Sequence, residues 1–426
     1  MTNKVMLIMV NSGENNNKFY ELELKDNGDV HKRWGRVGTA GSSSITFGGG
    51  ESEFNKVKRG KERKGYKETD IDLEVEEETT NSTGNIMDIA MKQIKTDDES
   101  KLLIKRLVDK NIHNITSNTK ITFDIKTGYF KTPLGIVTKT GVDKAIDLLH
   151  KIERLIIDKT FDNKDKSKFI KLNEDYFTQI PTKIKTLRDF NNFLTTNDKI
   201  IEQLDICNAL IDSIEIIVKE KEKIKAKKSG KKIKEEKIFN TTVKLLKNKK
   251  EFKRINDYFE KSKNRQHGYS NNNSKISNIY KVSLGEEEKN YRSDLSNQME
   301  LFHGTKVANL LSILKGGLLM PKYSPGAVTG YMYGMGLYFA SQSTKSLNYC
   351  DGGHWNNAKK QDKIYMFIAD VAMGKYEIPS SWHSKKPKPG YDSFWAKSGQ
   401  SGVMNDEMII FNNNQIKLKY ILEIEI

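Results

Sequence analysis

The stretch LFHGTKVANLLSILKGGLLMP, residues 301–321, is the best indicator of the fold of this 426-residue chain. It is followed by GYMYGMGLYFASQSTKSLNYC at residues 330–350 and, near the C-terminus, by MNDEMIIF at residues 404–411. Each stretch combines a short apolar run with Gly- or Asn-containing turns, which is typical of short antiparallel strands. We therefore predict that residues 251–426 form a mixed α+β domain built mainly from antiparallel sheets.

Two differently patterned regions precede this part of the chain. KVMLIMV, KFYELELK and DVHKRWGRVGTAG (residues 4–10, 18–25 and 29–41) alternate in the manner of strands, which predicts a small β-rich domain in residues 1–80. In residues 90–220 the apolar side chains recur at helical spacing, which predicts an α-helical bundle. One such face contains Val142, Ile146, Leu149, Ile152 and Ile156. The predicted fold class is therefore α+β multidomain, in line with a length that exceeds one hydrophobic core.

A lysine-rich run separates the helical region from the C-terminal part. Residues 219–237 hold ten lysines against four glutamates and include KKSGKK. Such a composition buries little apolar surface, so we assign residues 221–250 to a solvated insertion or an exposed helix.

The balance of charge favours a polyanionic partner. The formal net charge is +16, and neutralising phosphates releases counterions whatever the nucleic-acid sequence. The alternative is that a Lys-, Ile- and Asn-rich composition reflects coding bias and solubility.

The cysteines and the N-terminus argue against several classes of protein. Cys207 and Cys350 are far apart, and neither has a partner at metal-ligand spacing, so we expect no metal site and a reducing compartment. The apolar run at residues 5–10 is too short to span a membrane and lacks the basic flank of a signal peptide, so we expect no membrane partner.

Candidate ligand-binding residues cluster in the stretches quoted first. Gly304 after His303 allows a ligand to approach the main chain closely, although a His-Gly pair is more often an ordinary turn. Aromatic rings among glycines suit a flat heterocycle, although they also suit the core of a hairpin. These rings belong to Tyr331, Tyr333, Tyr338 and Tyr349. Glu407 can supply a carboxylate beside an anomeric carbon, although a lone glutamate at a strand start usually lies on the surface.

Taken together, these stretches resemble the catalytic domain of the poly(ADP-ribose) polymerase family, which transfers ADP-ribose from NAD+ to acceptors. His303, Tyr338 and Glu407 match the family's His-Tyr-Glu signature. KRWGRVGTAG, residues 32–41, resembles the family's WGR domain, and TPLGIVTKTGVDKAIDLLHKI, residues 132–152, resembles its helical regulatory domain. The resemblance thus implies a WGR domain in residues 1–80, a regulatory domain in 90–220 and an ADP-ribosyltransferase domain in 251–426.

The resemblance also implies the substrate and the residues that bind it. NAD+ is the substrate, and no metal is implied. His303 would bind the adenosine ribose, Gly304 and Ser346 the nicotinamide carboxamide, and Tyr338 and Tyr349 the two faces of the nicotinamide ring. Glu407 would hold the hydroxyls of the nicotinamide ribose and polarise the attacking group. The implied catalytic residues are Glu407, His303 and Tyr338, and the implied NAD+ contacts are His303, Gly304, Thr305, Asn309, Tyr331, Tyr338, Lys345, Ser346 and Tyr349.

For the N-terminal part, the resemblance implies binding to DNA strand breaks through Trp34 and Arg36. It further implies activation by those breaks, acceptor proteins that include the chain itself, and a monomer in the absence of DNA. We expect a nuclear location, or the compartment that holds the genome if the source is microbial or viral.

Two departures from the family pattern leave alternatives open. A family arginine on the adenosine side corresponds to Leu319, and a family glycine corresponds to Ser312. The segment at residues 376–403 is short where the family carries an acceptor-binding loop. The alternatives are a mono-ADP-ribosyltransferase and an inactive scaffold that binds DNA ends.

Overall fold

The computed structural model describes residues 3–11, 16–37, 39–69, 71–72, 86–125, 128–132, 135–182, 189–229, 237–264, 273–320, 332–353, 363–381 and 383–425. The chain divides into two compact units. One contains residues 1–86 and 112–231, and the other contains residues 87–111 and 232–426. Helices and antiparallel sheets occur together, which confirms the predicted α+β multidomain fold. Within the described part of the chain, no helix combines the length and apolar character that crossing a membrane requires.

The first unit begins with a five-stranded antiparallel sheet in the order β4-β3-β2-β1-β5. Helix α1 packs its Phe54 side chain into a core with Leu7, Leu22 and Val30 of the sheet. The alternating pattern read from the sequence therefore buries one face of the sheet under the helix. The elements are β1 Asn3–Asn11, β2 Asn16–Leu24, β3 Val30–Arg36, β4 Ser42–Thr46, α1 Gly50–Glu62 and β5 Lys67–Glu68.

The middle of the chain is mostly helical. Helix α4 buries Val142, Leu149 and Ile152, which belong to the apolar face predicted from the sequence. Its first turn is capped by the Thr138 hydroxyl, which accepts a bond from the N–H of Gly141 at 3.1 Å. The elements are β6 Ile71–Asp72, α2 Ile86–Gln93, β7 Lys95–Thr96, α3 Asp98–Asn118, β8 Thr122–Phe123, β9 Phe130–Thr132, β10 Gly135–Val137, α4 Lys139–Ile157, α5 Lys166–Gln179 and α6 Asn197–Lys228.

Helix α6 continues into the lysine-rich run and ends at Lys228. Strand β11 (Thr241–Leu245) and the start of helix α7 (Lys249–Lys261) also fall within residues 221–250. Lysine is a good helix former, and Ala226 is buried, so the helix extends through the first part of the charged run.

The second unit contains a six-stranded sheet in the order β13-β15-β19-β12-β11-β7. Its pairs are antiparallel except β11 with β7, which are parallel. A four-stranded sheet has the order β14-β18-β17-β16. The remaining elements are β12 Lys275–Leu284, α8 Gly285–Asn290, β13 Gln298–Gly304, α9 Val307–Gly316, β14 Leu337–Phe339, α10 Ser343–Leu347, β15 Lys363–Ala372, β16 Tyr376–Glu377, β17 Ser393–Ala396, β18 Glu407–Ile410 and β19 Ile416–Glu425.

Candidate functional site

His303 lies near the end of β13, where the strand pairs with Phe367 of β15. Its Nδ1 atom is 2.9 Å from the carbonyl oxygen of Tyr338. Because a carbonyl oxygen only accepts, Nδ1 donates the proton. Burial lowers the pKa of His303, so the ring is neutral near pH 7 and its Nε2 is an acceptor. Nε2 can therefore accept a hydrogen bond from a ligand hydroxyl.

Gly304 brings the end of β13 against helix α10. A Cβ atom at this position would overlap the carbonyl oxygen of Ser346 and would lie 3.3 Å from the sulfur of Cys350. Ser346 is buried, and its hydroxyl donates to the carbonyl oxygen of Phe302 at 3.1 Å. The main chain of Gly304 thus lies against that of Ser346, and the Ser346 hydroxyl bonds to the same strand two residues before Gly304.

Two tyrosines occupy fixed positions in the same unit. The hydroxyl of Tyr338 donates to the carbonyl oxygen of Gly334 at 2.9 Å and accepts from the N–H of Tyr333 at 2.8 Å. Tyr349 follows helix α10, and the Nζ atom of Lys345 lies 5.5 Å from the centre of its ring. Burial raises the pKa of Tyr349, so its phenol is neutral.

Glu407 forms an ion pair with Lys345 at the start of β18. The distance between Nζ and Oε1 is 2.5 Å, and the side chains are only 13% and 11% exposed, respectively. Burial by itself would lower the pKa of Lys345, but the Glu407 carboxylate outweighs it and holds that pKa above its usual value. The Lys345 side chain is therefore a protonated partner for Glu407 in this buried salt bridge.

The remaining predicted NAD+ contacts lie between β13 and α9. The side-chain amide of Asn309 donates to the hydroxyl of Thr305 at 3.2 Å. Tyr331 lies outside the described residues. Of the two departures from the family pattern, Ser312 lies within α9, and Leu319 is an exposed apolar side chain after that helix.

Several polar residues near Glu407 were missed by the sequence reasoning. Asn405 is buried, and its Oδ1 accepts from Nδ2 of Asn264 at 2.8 Å. The carboxylate of Asp406 accepts from Nε1 of Trp395 at 2.8 Å and from the N–H of Ser398 at 2.9 Å. The only available signal was that Asn405 and Asp406 directly precede Glu407 in sequence.

A buried carboxylate at the start of α9 was also missed. Asp351 accepts from the N–H of Val307 at 2.8 Å, and burial raises its pKa. It comes just after Tyr349 and Cys350, but nothing in that order predicts contact with a helix 44 positions earlier in the chain.

Trp34 and Arg36 lie at the end of β3 in the first unit. The Trp34 ring is half-buried and stacks on Tyr20, with ring centres 5.7 Å apart and an interplanar angle of 15°. Arg36 is exposed. A Cβ atom at Gly35 would lie 2.8 Å from the Cα of Gly41, which explains the glycine between them. Residues two apart in a strand share a face, so Trp34 and Arg36 project from the same side.

Three family models match the chain. They describe the WGR domain (residues 3–72), the regulatory domain of poly(ADP-ribose) polymerase (residues 97–237) and the poly(ADP-ribose) polymerase catalytic domain (residues 249–402).

Individual proteins are also similar to this chain along nearly its whole length. Poly [ADP-ribose] polymerase 2 of Homo sapiens is 26% identical, with 99% of this chain and 79% of that protein covered. Poly [ADP-ribose] polymerase 2 of Arabidopsis thaliana is 24% identical, with 99% and 72% covered. Protein mono-ADP-ribosyltransferase PARP3 of Mus musculus is 25% identical, with 99% and 87% covered.

Proposed function

The chain belongs to the poly(ADP-ribose) polymerase family and is an NAD+ ADP-ribosyltransferase, and we propose that DNA strand breaks activate it to modify itself and other proteins. The observation that carries the catalytic part of the proposal is the buried salt bridge between Lys345 and Glu407. It supplies a carboxylate at the position of the family's catalytic glutamate. This makes the inactive scaffold the weaker alternative.

We assign the nicotinamide end of NAD+ to the contact between β13 and α10. The main-chain groups of Gly304 pair with the carboxamide, and the hydroxyl of Ser346 accepts from its amide N–H. Tyr338 and Tyr349 provide aromatic faces for the nicotinamide ring. Nε2 of His303 accepts a hydrogen bond from a hydroxyl of the adenosine ribose, an orientation that the bond from Nδ1 to the carbonyl oxygen of Tyr338 supports. Thr305, Asn309 and Tyr331 complete the proposed set.

In the proposed chemical step, the bond between C1′ of the nicotinamide ribose and the nicotinamide nitrogen breaks, and its electron pair leaves with neutral nicotinamide. The ribosyl carbon develops oxocarbenium charge and forms a new bond with an acceptor oxygen. Where the acceptor is a hydroxyl, its proton passes to Glu407 and then to water. Lys345 holds one carboxylate oxygen, and the other binds the ribose hydroxyl and the nucleophile. Contacts that strengthen as charge develops accelerate this step.

The DNA-dependent part of the proposal rests on the first unit. Trp34 and Arg36 lie on one face of β3, where an aromatic ring and a guanidinium group can contact a terminal sugar and a phosphate. The net charge of +16 agrees with a polyanionic partner. We therefore propose DNA breaks as the activating partner, a monomer in the absence of DNA, and a nuclear location.

We propose the domain limits 1–80, 90–220 and 251–426, with a lysine-rich connection at 221–250 whose later part contributes β11 to the six-stranded sheet. The start of α3 packs within the second unit, where Nη1 of Arg106 donates to the hydroxyl of Tyr365 at 2.7 Å. Activation is then a shift between a state that excludes NAD+ and one that admits it, driven by the higher affinity of DNA for the second state.

The transferred product is either a polymer of ADP-ribose or a single ADP-ribose unit. Of the three similar proteins named above, two are poly [ADP-ribose] polymerases and one is a mono-ADP-ribosyltransferase, at nearly equal identity. The short segment at residues 376–403 favours single-unit transfer, because less chain is present to position a growing polymer.

The experiment that tests the proposal follows label from adenine-labelled NAD+ into protein, with and without a short DNA carrying a break, on a denaturing gel. A DNA-dependent smear of high mass supports a break-activated polymerase, and a DNA-dependent sharp band supports single-unit transfer. Label that does not respond to DNA contradicts the activation, and the absence of label under both conditions contradicts the enzymatic assignment.

A further inference from the structure

The outward face of helix α1 carries a basic stripe formed by Lys56, Arg59 and Arg63. The helix packs Phe54 and Val57 against the first sheet, and the Nζ atom of Lys61 lies 3.7 Å from the centre of the Tyr20 ring. Each residue of the stripe comes two positions after one of these sheet-facing residues: Lys56 after Phe54, Arg59 after Val57 and Arg63 after Lys61. At about 100° per residue, they are rotated by roughly 200° and point away from the sheet. All three are exposed.

The positive charge of the stripe is hardly compensated. Other bases of the same region have close carboxylates: Lys58 is 2.6 Å from Glu68, and Lys32 is 2.8 Å from Glu53. Among the residues that the structure describes, the only carboxylate within ion-pair distance of Lys56 is that of Glu53, at 4.0 Å. For Arg59 and Arg63, no carboxylate of the described residues lies within ion-pair distance. The uncompensated charge therefore faces solvent.

We propose that this stripe binds consecutive phosphates of one strand of duplex DNA next to the break. This inference rests on the proposed function, because it assumes that the first unit binds broken DNA. From Lys56 to Arg63 the helix rises about 10 Å, which matches roughly three phosphates at about 3.4 Å of axial rise each. The stripe contains no aromatic side chain, so it suits the backbone of a duplex better than the stacked bases of a single strand.

The position of the stripe relative to the aromatic pair supports a division of roles. Lys61 lies over Tyr20, and Tyr20 stacks on Trp34, so the last turn of α1 ends beside these rings. A duplex whose end contacts Trp34 can extend along the helix from this turn. Trp34 then distinguishes an end from intact DNA, whereas the stripe adds affinity that depends on salt and not on sequence.

The test measures the affinity of the full chain for a blunt duplex of 20 base pairs between 50 and 200 mM salt. The variant replaces Lys56, Arg59 and Arg63 with Gln, which keeps helix propensity and removes three charges. The matched control replaces Lys151, Lys168 and Lys253, three exposed helical lysines elsewhere, with Gln. Thermal unfolding followed by circular dichroism verifies that both variants fold.

Losing three phosphate contacts makes the plot of the logarithm of the DNA-binding constant against the logarithm of salt concentration shallower by about 2.7. Raising the salt concentration fourfold therefore weakens DNA binding by the unaltered protein about 40-fold more than DNA binding by the stripe variant. The control retains the original slope. An unchanged slope in the stripe variant overturns this inference and leaves the proposed function intact. Failure of the unaltered protein to bind the duplex overturns both.

Discussion

The Nζ atom of Lys345 lies 2.5 Å from Oε1 of Glu407, and both side chains are almost completely buried. Taking two charges out of water is costly unless each compensates the other. The ion pair therefore holds the carboxylate of Glu407 in one orientation. A surface glutamate at the start of a strand lacks this restraint, so this pairing separates Glu407 from the ordinary alternative.

Replacing Glu407 with Gln is expected to abolish transfer to an acceptor while much of the NAD+ binding remains. The amide cannot take a proton from the nucleophile, whereas the proposed carboxamide and adenosine contacts do not involve it. The rate of label transfer and the affinity for NAD+ are the two measurements. Replacing the exposed Glu425 with Gln is the control and retains activity. Normal transfer by the Glu407 variant would refute the role assigned to this carboxylate.

The same substitution leaves Lys345 buried without its carboxylate. The pKa of Lys345 then falls, because burial lowers it and only Tyr349 still opposes that effect. The raised pKa in the unaltered protein adds stability that is complete below the usual value of 10.5 and is lost only as the pH rises through the raised value. The titration of Lys345 therefore contributes no pH dependence near neutrality.

Replacing Gly304 with Ala is expected to weaken NAD+ binding strongly and to lower the thermal stability. The added Cβ overlaps the carbonyl oxygen of Ser346, so β13 and α10 must separate. Replacing Gly399 with Ala is a useful contrast, since nothing lies within 4 Å of a Cβ there, and the cost is limited to its positive φ of 76°. Isothermal titration with NAD+ and thermal unfolding compare the two variants. Equal NAD+ affinity in both would contradict the assigned binding site.

The order of the candidate site residues was predictable, whereas their supporting contacts were not. His303 and Gly304 form a short local pattern, so their position at the end of a strand could be read from the sequence. Asp351 contacts the start of α9, and Asn405 contacts Asn264 just after α7, through pairs that are 44 and 141 positions apart. A single sequence has no local signal for such long-range contacts.

The lysine-rich run illustrates a different limit of the sequence. Its charge predicts exposure, and charge patterning does not tell a solvated insertion from a helix with a basic surface. In the structure α6 continues to Lys228. Ala226 is buried and Ile224 is half-buried, so burial of these side chains stabilises the end of the helix, and the lysines add helix propensity.

Substitutions at Arg106 and at Glu423 are expected to lower the free energy of unfolding by unequal amounts. Arg106 is 3.5 Å from Glu423, which also receives bonds from Lys363 at 2.7 Å and Asn278 at 2.9 Å. Replacing Arg106 with Met removes one of several partners of Glu423 and is expected to lower the free energy of unfolding by about 1 kcal/mol. Replacing Glu423 with Leu leaves the two cations without their shared carboxylate and is expected to cost about 3 kcal/mol. Midpoints of urea unfolding measure both, and a larger effect at Arg106 would contradict this reading of the network.

Glu287 is expected to make the second unit less stable as the pH rises. Its carboxylate accepts from the N–H of Leu418 at 2.8 Å, and burial raises its pKa to about 7, against a usual value of 4.5. Glu288 raises this pKa further, whereas the bond from Leu418 and the charge of Lys417 oppose the increase. The folded state therefore binds more protons than the unfolded state between these two values. The resulting stability is complete below pH 4.5 and is lost as the pH rises through about 7.

Replacing Glu287 with Gln keeps the acceptor for Leu418 and removes the titration. The unaltered protein should lose about 2 kcal/mol between pH 5 and pH 8 through this group, allowing for its partial exposure. The variant should lack that loss, so its unfolding midpoint should exceed that of the unaltered protein at pH 8 and approach it at pH 5. Replacing the exposed Glu288 with Gln controls for the removal of one negative charge. Parallel pH profiles for the unaltered protein and the Glu287 variant would show that this carboxyl is ionised throughout, because only a group that changes its protonation on folding can give the two profiles different slopes.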